Sequence, residues 1–115
     1  MVKERIGGLV TEGPPLISSN QKNILQLAER HRIPAIYSRQ EWANAGGLMT
    51  YGADGVEQYR RAAVYVDKIL KGTKPADLPV EQPMRFEFVI NLNAAKALNL
   101  TIPQSVLFRA DKVIK

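Results

Sequence analysis

The sequence predicts an α/β fold, a sandwich of strands and helices built from βαβ units. Two short runs of apolar and β-branched residues, Ile6–Thr11 and Ile33–Tyr37, have the character of strands, and a helical apolar pattern separates them. The segment Val56–Leu70 repeats apolar residues at helical spacing. Arg85–Leu92 alternates as a strand does, with Phe86, Phe88 and Ile90 on one face. A helix between two strands makes them parallel, with a right-handed crossover.

Length and composition limit the possibilities further. The chain has 115 residues, which is enough for one α/β unit with a modest core. It has no cysteine, and its one histidine, His31, lies between two arginines, where we interpret it as a solvated helix-end residue. We therefore predict no metal and no cofactor. The net charge is +5, but the basic residues form no run, so no nucleic acid partner is predicted.

The first half of the chain alternates strand and helix. Residues 1–5 resemble the end of a helix, and the strand Ile6–Thr11 stops at the proline-containing loop 12–15. Three residues, Ser18, Ser19 and Asn20, are candidate N-caps for a helix that closes at the cations of residues 30–32. After the second strand, residues 38–44 are expected to form a polar connection with room for one short helical turn.

A strand, a turn and a long helix follow. The stretch Ala45–Asp54 contains a predicted strand at Leu48–Tyr51 and a turn at residues 52–54. Asp54 is a candidate N-cap for the helix Val56–Leu70, and Gly72 suits the position just after it. Beyond an extended, proline-rich segment and the strand at 85–92, we predict a short helix at 94–98 capped by Asn93. A last helix is predicted at Gln104–Val113 after Pro103.

Polar and aromatic residues follow each of the three predicted parallel strands. In α/β sheets, ligands bind outside the carboxyl ends of the strands, so these loops are the candidate ligand site. The candidate ligand-binding residues are Thr11, Glu12, Gly13, Tyr37, Glu41, Tyr51, Gly52 and Asp54. The competing interpretation is that they are ordinary loop residues. For Asp54 the favoured role is the helix cap, and Trp42 is equally well explained by packing.

Catalytic motifs are scarce. Neither glycine pair forms a phosphate-binding motif, and His31 is badly placed to serve a nucleophile. Glu12 and Glu41 could converge as paired carboxylates that perform acid–base catalysis. Two loop glutamates are more often plain surface residues, so an enzyme is the weakest of the hypotheses. We predict that the protein is not an enzyme.

Several long phrases resemble the substrate-binding proteins of ABC transporters, in the branch related to tryptophan- and tyrosine-binding components. The phrases are AERHRIPAIY, AGGLMTYG, YRRAAVYVDKIL, KGTKPADLPVEQP, FEFVINLNAAKALNLTIP and RADKVI. The resemblance implies part of a type 1 periplasmic-binding-protein fold, namely its C-terminal segment. Residues 1–45 and 80–115 would belong to one lobe, and 46–79 would be an excursion to the other. Relatives often carry an Asp-Asn-like pair where this chain has Glu12-Gly13.

The resemblance also implies partners. The protein would bind a small organic solute such as an aromatic amino acid and deliver it to an ABC permease. Relatives are periplasmic, whereas this sequence shows no signal peptide and would be cytoplasmic as given. Without a second lobe we expect weak solute binding at most, and a homo-oligomer formed through Val56–Leu70. The alternative is a standalone interaction module with no transport role.

Overall fold

The computed structural model describes residues 4–115 and contains one five-stranded sheet in the order β1-β2-β3-β4-β5. The strands are β1 (Leu9–Thr11), β2 (Ala35–Tyr37), β3 (Met49–Ala53), β4 (Phe86–Asn91) and β5 (Lys112–Ile114). The helices are α1 (Pro15–Ser19), α2 (Gln21–Arg30), α3 (Gln40–Asn44), α4 (Gly55–Leu70), α5 (Leu92–Ala97) and α6 (Gln104–Leu107), with a 3-10 turn at Pro75–Asp77. The α/β class predicted from the sequence is confirmed.

The chain divides into two compact units. The first contains residues up to Gly52 together with Glu87–Lys115, and the second is Ala53–Phe86. The second unit therefore interrupts the first in sequence. It overlaps the predicted excursion at residues 46–79, whose assignment to another lobe stays a prediction.

The direction of the strands changes once across the sheet. β1, β2 and β3 are parallel neighbours, and β4 and β5 are parallel to each other. Between β3 and β4, Asp54 N–H donates to the Arg85 carbonyl and Asn91 N–H donates to the Leu48 carbonyl. Residue numbers that rise on one strand as they fall on the other define an antiparallel pair. The carboxyl ends of β1–β3 consequently share an edge with the start of β4.

The core of the first unit forms around an aromatic stack. The rings of Tyr37 and Trp42 are 4.6 Å apart and nearly parallel, and the two residues are only 2% and 3% exposed. Ala28 of α2 and Ala35 of β2 pack with them. Burial raises the pKa of Tyr37 above its ordinary value. The stack fixes α3 against β2 and so positions the loop between them.

A buried asparagine joins three elements of this unit. The Asn91 amide nitrogen donates to the Ala43 carbonyl at 2.9 Å, which links the end of β4 to α3. Its Oδ1 accepts from the backbone N–H groups of Asn93 and Ala94 and so caps α5. The predicted cap, Asn93, is therefore wrong. Helix α5 begins two residues earlier than predicted because Asn91 already supplies the acceptor that its first turn needs.

Helix α4 dominates the second unit. Both of its predicted ends are confirmed. The Asp54 carboxylate accepts from the N–H groups of Val56 and Glu57, and Gly72 adopts φ +105° just beyond the last turn. The segment that follows is attached to α4 by two contacts. Arg61 forms a two-pronged ion pair with Glu81, and the Tyr65 hydroxyl donates to the Pro79 carbonyl.

Three predicted boundaries are corrected by backbone pairing. There is no turn at residues 52–54, because the Asp54–Arg85 hydrogen bond continues the β3–β4 ladder and β3 extends through Ala53. The last helix is α6 alone, and it stops at Leu107. Asp111 then bonds to Phe88 through both its backbone N–H and its carboxylate, which starts β5. The predicted first strand is shortened to β1, and residues 1–3 of the predicted N-terminal helix lie outside the described chain.

The buried asparagine generates the first prediction. Asn91→Ala removes the α5 cap and leaves the Ala43 carbonyl without its side-chain donor, so we expect a loss of about 1–3 kcal/mol in the free energy of unfolding. Asn93→Ala is the matched control, because this exposed residue contributes only its backbone N–H to the cap. Urea unfolding followed by circular dichroism measures both. Equal losses in the two variants would contradict the role given to Asn91.

The ion pair of the second unit generates a prediction about acid. Hydrogen bonding from Arg61 holds the pKa of Glu81 below its ordinary value. Since the folded-state pKa is lowered, the pair stabilises the protein above the carboxyl's ordinary titration range, and this contribution disappears as the pH falls through the lowered value. A carbon-detected NMR titration should show the Glu81 pKa rising in Arg61→Gln. An unchanged Glu81 pKa in that variant would refute the assignment.

Candidate functional site

The loops that follow β1 and β2 meet the end of β3 at one edge of the first unit. The register aligns Thr11 with Tyr37 and Tyr37 with Thr50, so β1 and β2 end side by side while β3 continues to Ala53. Beyond the paired residues, the loop after β1 also contacts the loop after β2. A Cβ atom at Gly13 would lie 3.3 Å from Ser38 Oγ and 3.6 Å from Arg39 Cδ. The first and second loops are thus in van der Waals contact at Gly13.

Strand β3 meets the loop after β2 at a glycine that has no room for a side chain. A Cβ atom at Gly52 would lie 1.9 Å from the Ser38 carbonyl oxygen and 2.9 Å from its carbon. Both of these are backbone atoms, which cannot rotate away as the end of a side chain would. Gly52 therefore allows β3 to lie directly against the Ser38 backbone. The loops after β1 and β2 and the end of β3 thus form one continuous surface, which we call the converging loops.

Charged and aromatic side chains lie on this surface. Arg39 Nε lies 2.6 Å from Glu41 Oε1, and both side chains are more than half exposed. Because solvent screens such a pair, it contributes little to stability and its two charges remain accessible to a solute. The Tyr51 side chain is 55% exposed, and its ring meets Phe88 edge to face at 6.4 Å. Glu12 is exposed on the first loop.

The structure separates the sequence-predicted site residues into three groups. Six of them lie on or beside the converging loops: Thr11, Glu12, Gly13, Glu41, Tyr51 and Gly52. Tyr37 lies beneath the loops in the core, stacked on Trp42, so its ring supports the surface from inside. Asp54 belongs to the second unit, where it caps α4 and lies 3.6 Å from Arg85 Nε.

Two residues of the surface, Ser38 and Arg39, were not singled out from the sequence. They lie in the segment Tyr37–Glu41, which was predicted to face the ligand, but nothing in their identity marked them as the point where the loop after β1 and the strand β3 make contact. One signal was present, because Arg39 stands two residues before Glu41, a spacing that permits a local ion pair. The contacts at Gly13 and Gly52 depend on backbone positions, which the sequence does not display.

Cavities also lie elsewhere in the described chain. One of about 230 Å³ in the first unit lies beside α2 and α5, and its mostly apolar lining includes the polar residues Glu29, Asn91 and Asn93. A cleft of about 760 Å³ in the second unit runs between α4 and residues 81–85. Its charged residues form local pairs, Arg61 with Glu81, Arg85 with Asp54 and Glu57 with Arg60. We place the candidate site at the converging loops because they lie at the carboxyl ends of parallel strands, where α/β sheets bind ligands.

Clusters of metal-ligating side chains and membrane-spanning helices are both absent from the described part of the chain. Among residues 4–115, no cluster of three or more His, Cys, Asp or Glu side chains is arranged to hold a metal ion. None of the helices in that range is long and apolar enough to cross a membrane.

Comparison with known proteins identifies the family. Residues 1–114 match the model of the ABC transporter substrate binding protein family, so the chain belongs to this family. The family is defined by substrate binding and is not an enzyme class. No protein of curated function matches the chain at a significant level.

Solved structures agree with this assignment. A conserved domain protein from Vibrio cholerae O1 biovar El Tor shares 26% identity over 97% of this chain, with a TM-score of 0.89. An ABC domain from Streptococcus pneumoniae, solved with L-Trp, shares 28% identity over 96%, with a TM-score of 0.87. The chain spans 38% of the length of each. An open, ligand-free substrate-binding protein with adhesive properties from Clostridium difficile shares the fold at 20% identity and a TM-score of 0.67, with 99% of this chain and 39% of that one covered. The periplasmic-binding-protein fold expected from the sequence is confirmed.

The close approach at Gly52 generates a prediction. Gly52→Ala inserts a Cβ atom into the Ser38 backbone, so the loop must move, and we expect a loss of about 1–3 kcal/mol, typical of overpacking. Gly55→Ala is the matched control, because a Cβ there meets nothing within 4 Å. In a helix this control is expected to be neutral or stabilising by up to about 1 kcal/mol. Thermal unfolding measures both, and amide NMR shifts at Ser38 and Arg39 report the displaced loop. A Gly52→Ala protein as stable as the control would show that the approach is looser than described.

Proposed function

We propose that the chain forms part of a solute receptor of an ABC uptake transporter, with the converging loops of the first unit as its contribution to the binding site. The observation that carries the proposal is the meeting of two loops and the end of β3 at Gly13, Ser38 and Gly52, at the carboxyl edge of the parallel strands. This is the edge at which α/β sheets bind ligands. Family membership supports a solute as the ligand.

The charges on this edge favour a zwitterionic solute. Arg39 offers a guanidinium suited to a carboxylate, and Glu41 beside it offers an acceptor suited to an ammonium group. A solute that carries both charges can replace the Arg39–Glu41 pair without leaving either side chain unpaired. A solute with one charge cannot, and an unpaired charge in a closed site is costly. Amino acids have this pair of charges.

An aromatic side chain on the solute is favoured by Tyr51. Its exposed ring offers an apolar face for stacking or edge contacts beside the glycine that joins the loops. The L-Trp bound to the Streptococcus pneumoniae domain is consistent with an aromatic amino acid as the solute here. We propose the residues Thr11, Glu12, Gly13, Ser38, Arg39, Glu41, Tyr51 and Gly52 as the contact surface, with Tyr37 and Trp42 as its support and Asp54 as a helix cap.

The remaining parts of the function follow from the same proposal. The solute would pass from the receptor to an ABC permease, and the receptor would act outside the cytoplasmic membrane, in the periplasm. Because the chain spans a minor part of the matched structures, its loops supply one wall of the site. We therefore expect the chain by itself to bind with a dissociation constant of about 1 mM or weaker, equivalent to about −4 kcal/mol.

Amide NMR shifts during a titration with L-Trp test this function. We expect shifts at residues 11–13, 38–41 and 51–52, and none along α4. Arg39→Gln should weaken binding about tenfold or more, since hydrogen bonds between charged groups contribute about 1.5–3 kcal/mol. Tyr51→Ala should weaken it as well.

Matched variants serve as controls for both substitutions. Arg30→Gln changes an exposed arginine of α2, and Tyr59→Ala changes an exposed tyrosine of α4. Neither control should alter the shifts. The proposal fails if the shifts occur around the cleft of the second unit instead, or if the loops stay silent up to the solubility of the amino acid. Indole-3-propionate, which lacks the ammonium group, tests the zwitterion requirement and should bind more weakly than L-Trp.

A further inference from the structure

Glu87, in β4, carries a carboxylate that has no partner within the described chain. Ion pairs hold the carboxylates of Glu41, Asp54, Glu57, Asp67 and Glu81. No ion pair or side-chain hydrogen bond joins Glu87 to any described residue. The other acids of residues 4–115 that lack such a partner are exposed, whereas Glu87 is partly buried. Because burial of an unpaired charge is unfavourable, this carboxylate is suited to a cation that comes from outside the fold.

The pairing of β3 with β4 places Glu87 directly opposite Gly52. The two backbone hydrogen bonds that join these strands fix this antiparallel register, and the contact of the Tyr51 ring with Phe88 agrees with it. Residues opposite one another in such a pair project from the same face, with Cβ atoms about 4.5–5.5 Å apart. Glu87 therefore projects from the face on which Gly52 meets Ser38, beside the converging loops.

A second acceptor lies close to this carboxylate. The Ser38 carbonyl oxygen is 1.9 Å from the position of a Cβ atom on Gly52, so it lies within about 7.5 Å of the Glu87 Cβ atom. Hydrogen bonds from a charged nitrogen are about 2.8 Å long, which allows one ammonium nitrogen to lie between the carboxylate and this carbonyl. An ammonium group has three N–H donors, so it can use both acceptors and bond to a third group as well.

The charges around this position also favour a cation. Arg39 and Glu41 form an ion pair and neutralise each other, so Glu87 adds a negative charge that nothing on the surface balances. Glu12, on the loop after β1, has the same sign. Lys112 lies on the neighbouring strand opposite Val89, but no ion pair joins it to Glu87. A positively charged group of the solute therefore gains more at this edge than a negatively charged one.

We propose that Glu87, together with the Ser38 carbonyl, binds the ammonium group of the solute and makes it the stronger of the two charged anchors. This inference rests on the proposed function, because it adds a specificity-determining residue to the same site. It narrows the solute class to compounds with a primary ammonium group. The carboxylate of an amino acid adds to binding through Arg39, but the ammonium group selects the solute.

Two analogues of tryptophan that each lack one charge test this order. Tryptamine has the ammonium group without the carboxylate, and indole-3-propionate has the carboxylate without the ammonium group. Titrations at neutral pH and equal ionic strength, followed through the amide NMR shifts of residues 38–41, 51–52 and 87, give both dissociation constants. We expect tryptamine to bind about tenfold more tightly. Equal constants, or the reverse order, would overturn the proposal.

Glu87→Gln removes the negative charge and keeps the size of the side chain. It should weaken tryptamine and L-Trp about tenfold and should not weaken indole-3-propionate. Glu29→Gln is the matched control, because it removes one exposed, unpaired carboxylate of α2 and changes the net charge equally. All three constants should stay the same in this control. Circular dichroism checks that both variants are folded. A purely structural role of Glu87 would alter all three ligands alike, which would contradict the proposal.

The same titrations separate this inference from the proposed function. If L-Trp binds the converging loops of the native protein and of Glu87→Gln equally well, the receptor function stands and the role of Glu87 is wrong. If neither L-Trp nor tryptamine shifts the converging loops, both proposals fail.

Discussion

The architecture of the first unit depends on how closely β3 lies against the segment after β2. At the start of the strand, a Cβ atom on Gly47 would lie 2.8 Å from both the Trp42 carbonyl and the Tyr37 ring. At its other end, Gly52 meets the Ser38 backbone. Glycines at both ends thus let one strand support the aromatic core and, at the same time, hold the loop surface. The packing of the core and the geometry of the candidate site therefore both depend on the close approach of this one segment to its neighbours.

Asn91 extends this constraint to the part of the sheet beyond the second unit. β4 returns to the first unit antiparallel to β3, and the buried amide then bonds to α3 while its oxygen caps α5. A buried polar group is stable only when its hydrogen bonds are made, so the amide favours the one arrangement in which all three partners are in place. Thr50 is the exception in the described core, because its hydroxyl is buried without a partner.

The sequence predicted those elements whose signal is local. The period of α4, its Asp54 cap and its Gly72 terminus were all evident, because each depends on residues close together in the chain. The cap of α5 was missed by two residues, and the other errors arose where distant backbone decided the outcome. Residues 112–114 became a strand because β4 offered them a parallel partner, which outweighed the helical pattern before them. Likewise, the alternation in β4 predicted that the face with Phe86 and Phe88 is the apolar one. Phe86 is instead half exposed, and Val89 on the opposite face is fully buried.

The candidate site was predictable in location more than in detail. The ends of the predicted strands indicated which loops form the site, and the family resemblance indicated that these loops bind a solute. Tyr37 and Trp42, however, point into the core, because their two rings stack on each other. Arg39 gained its place from an ion pair and from the contact at Gly13. Such roles depend on distances that no sequence pattern displays.

The antiparallel pairing of β3 and β4 has a consequence for the order of folding. The chain leaves the first unit after Gly52 and returns to it at Glu87. Next to these two positions, the Asp54 N–H donates a hydrogen bond to the Arg85 carbonyl. The first unit is therefore discontinuous, and its last two strands must wait until all of residues 53–86 have been synthesised. Closing that loop carries an entropic cost that grows only slowly with length, but the non-local pairing it requires slows folding. Early chains expose the β3 edge until β4 arrives, which makes this edge the point where premature pairing with another chain competes with native assembly.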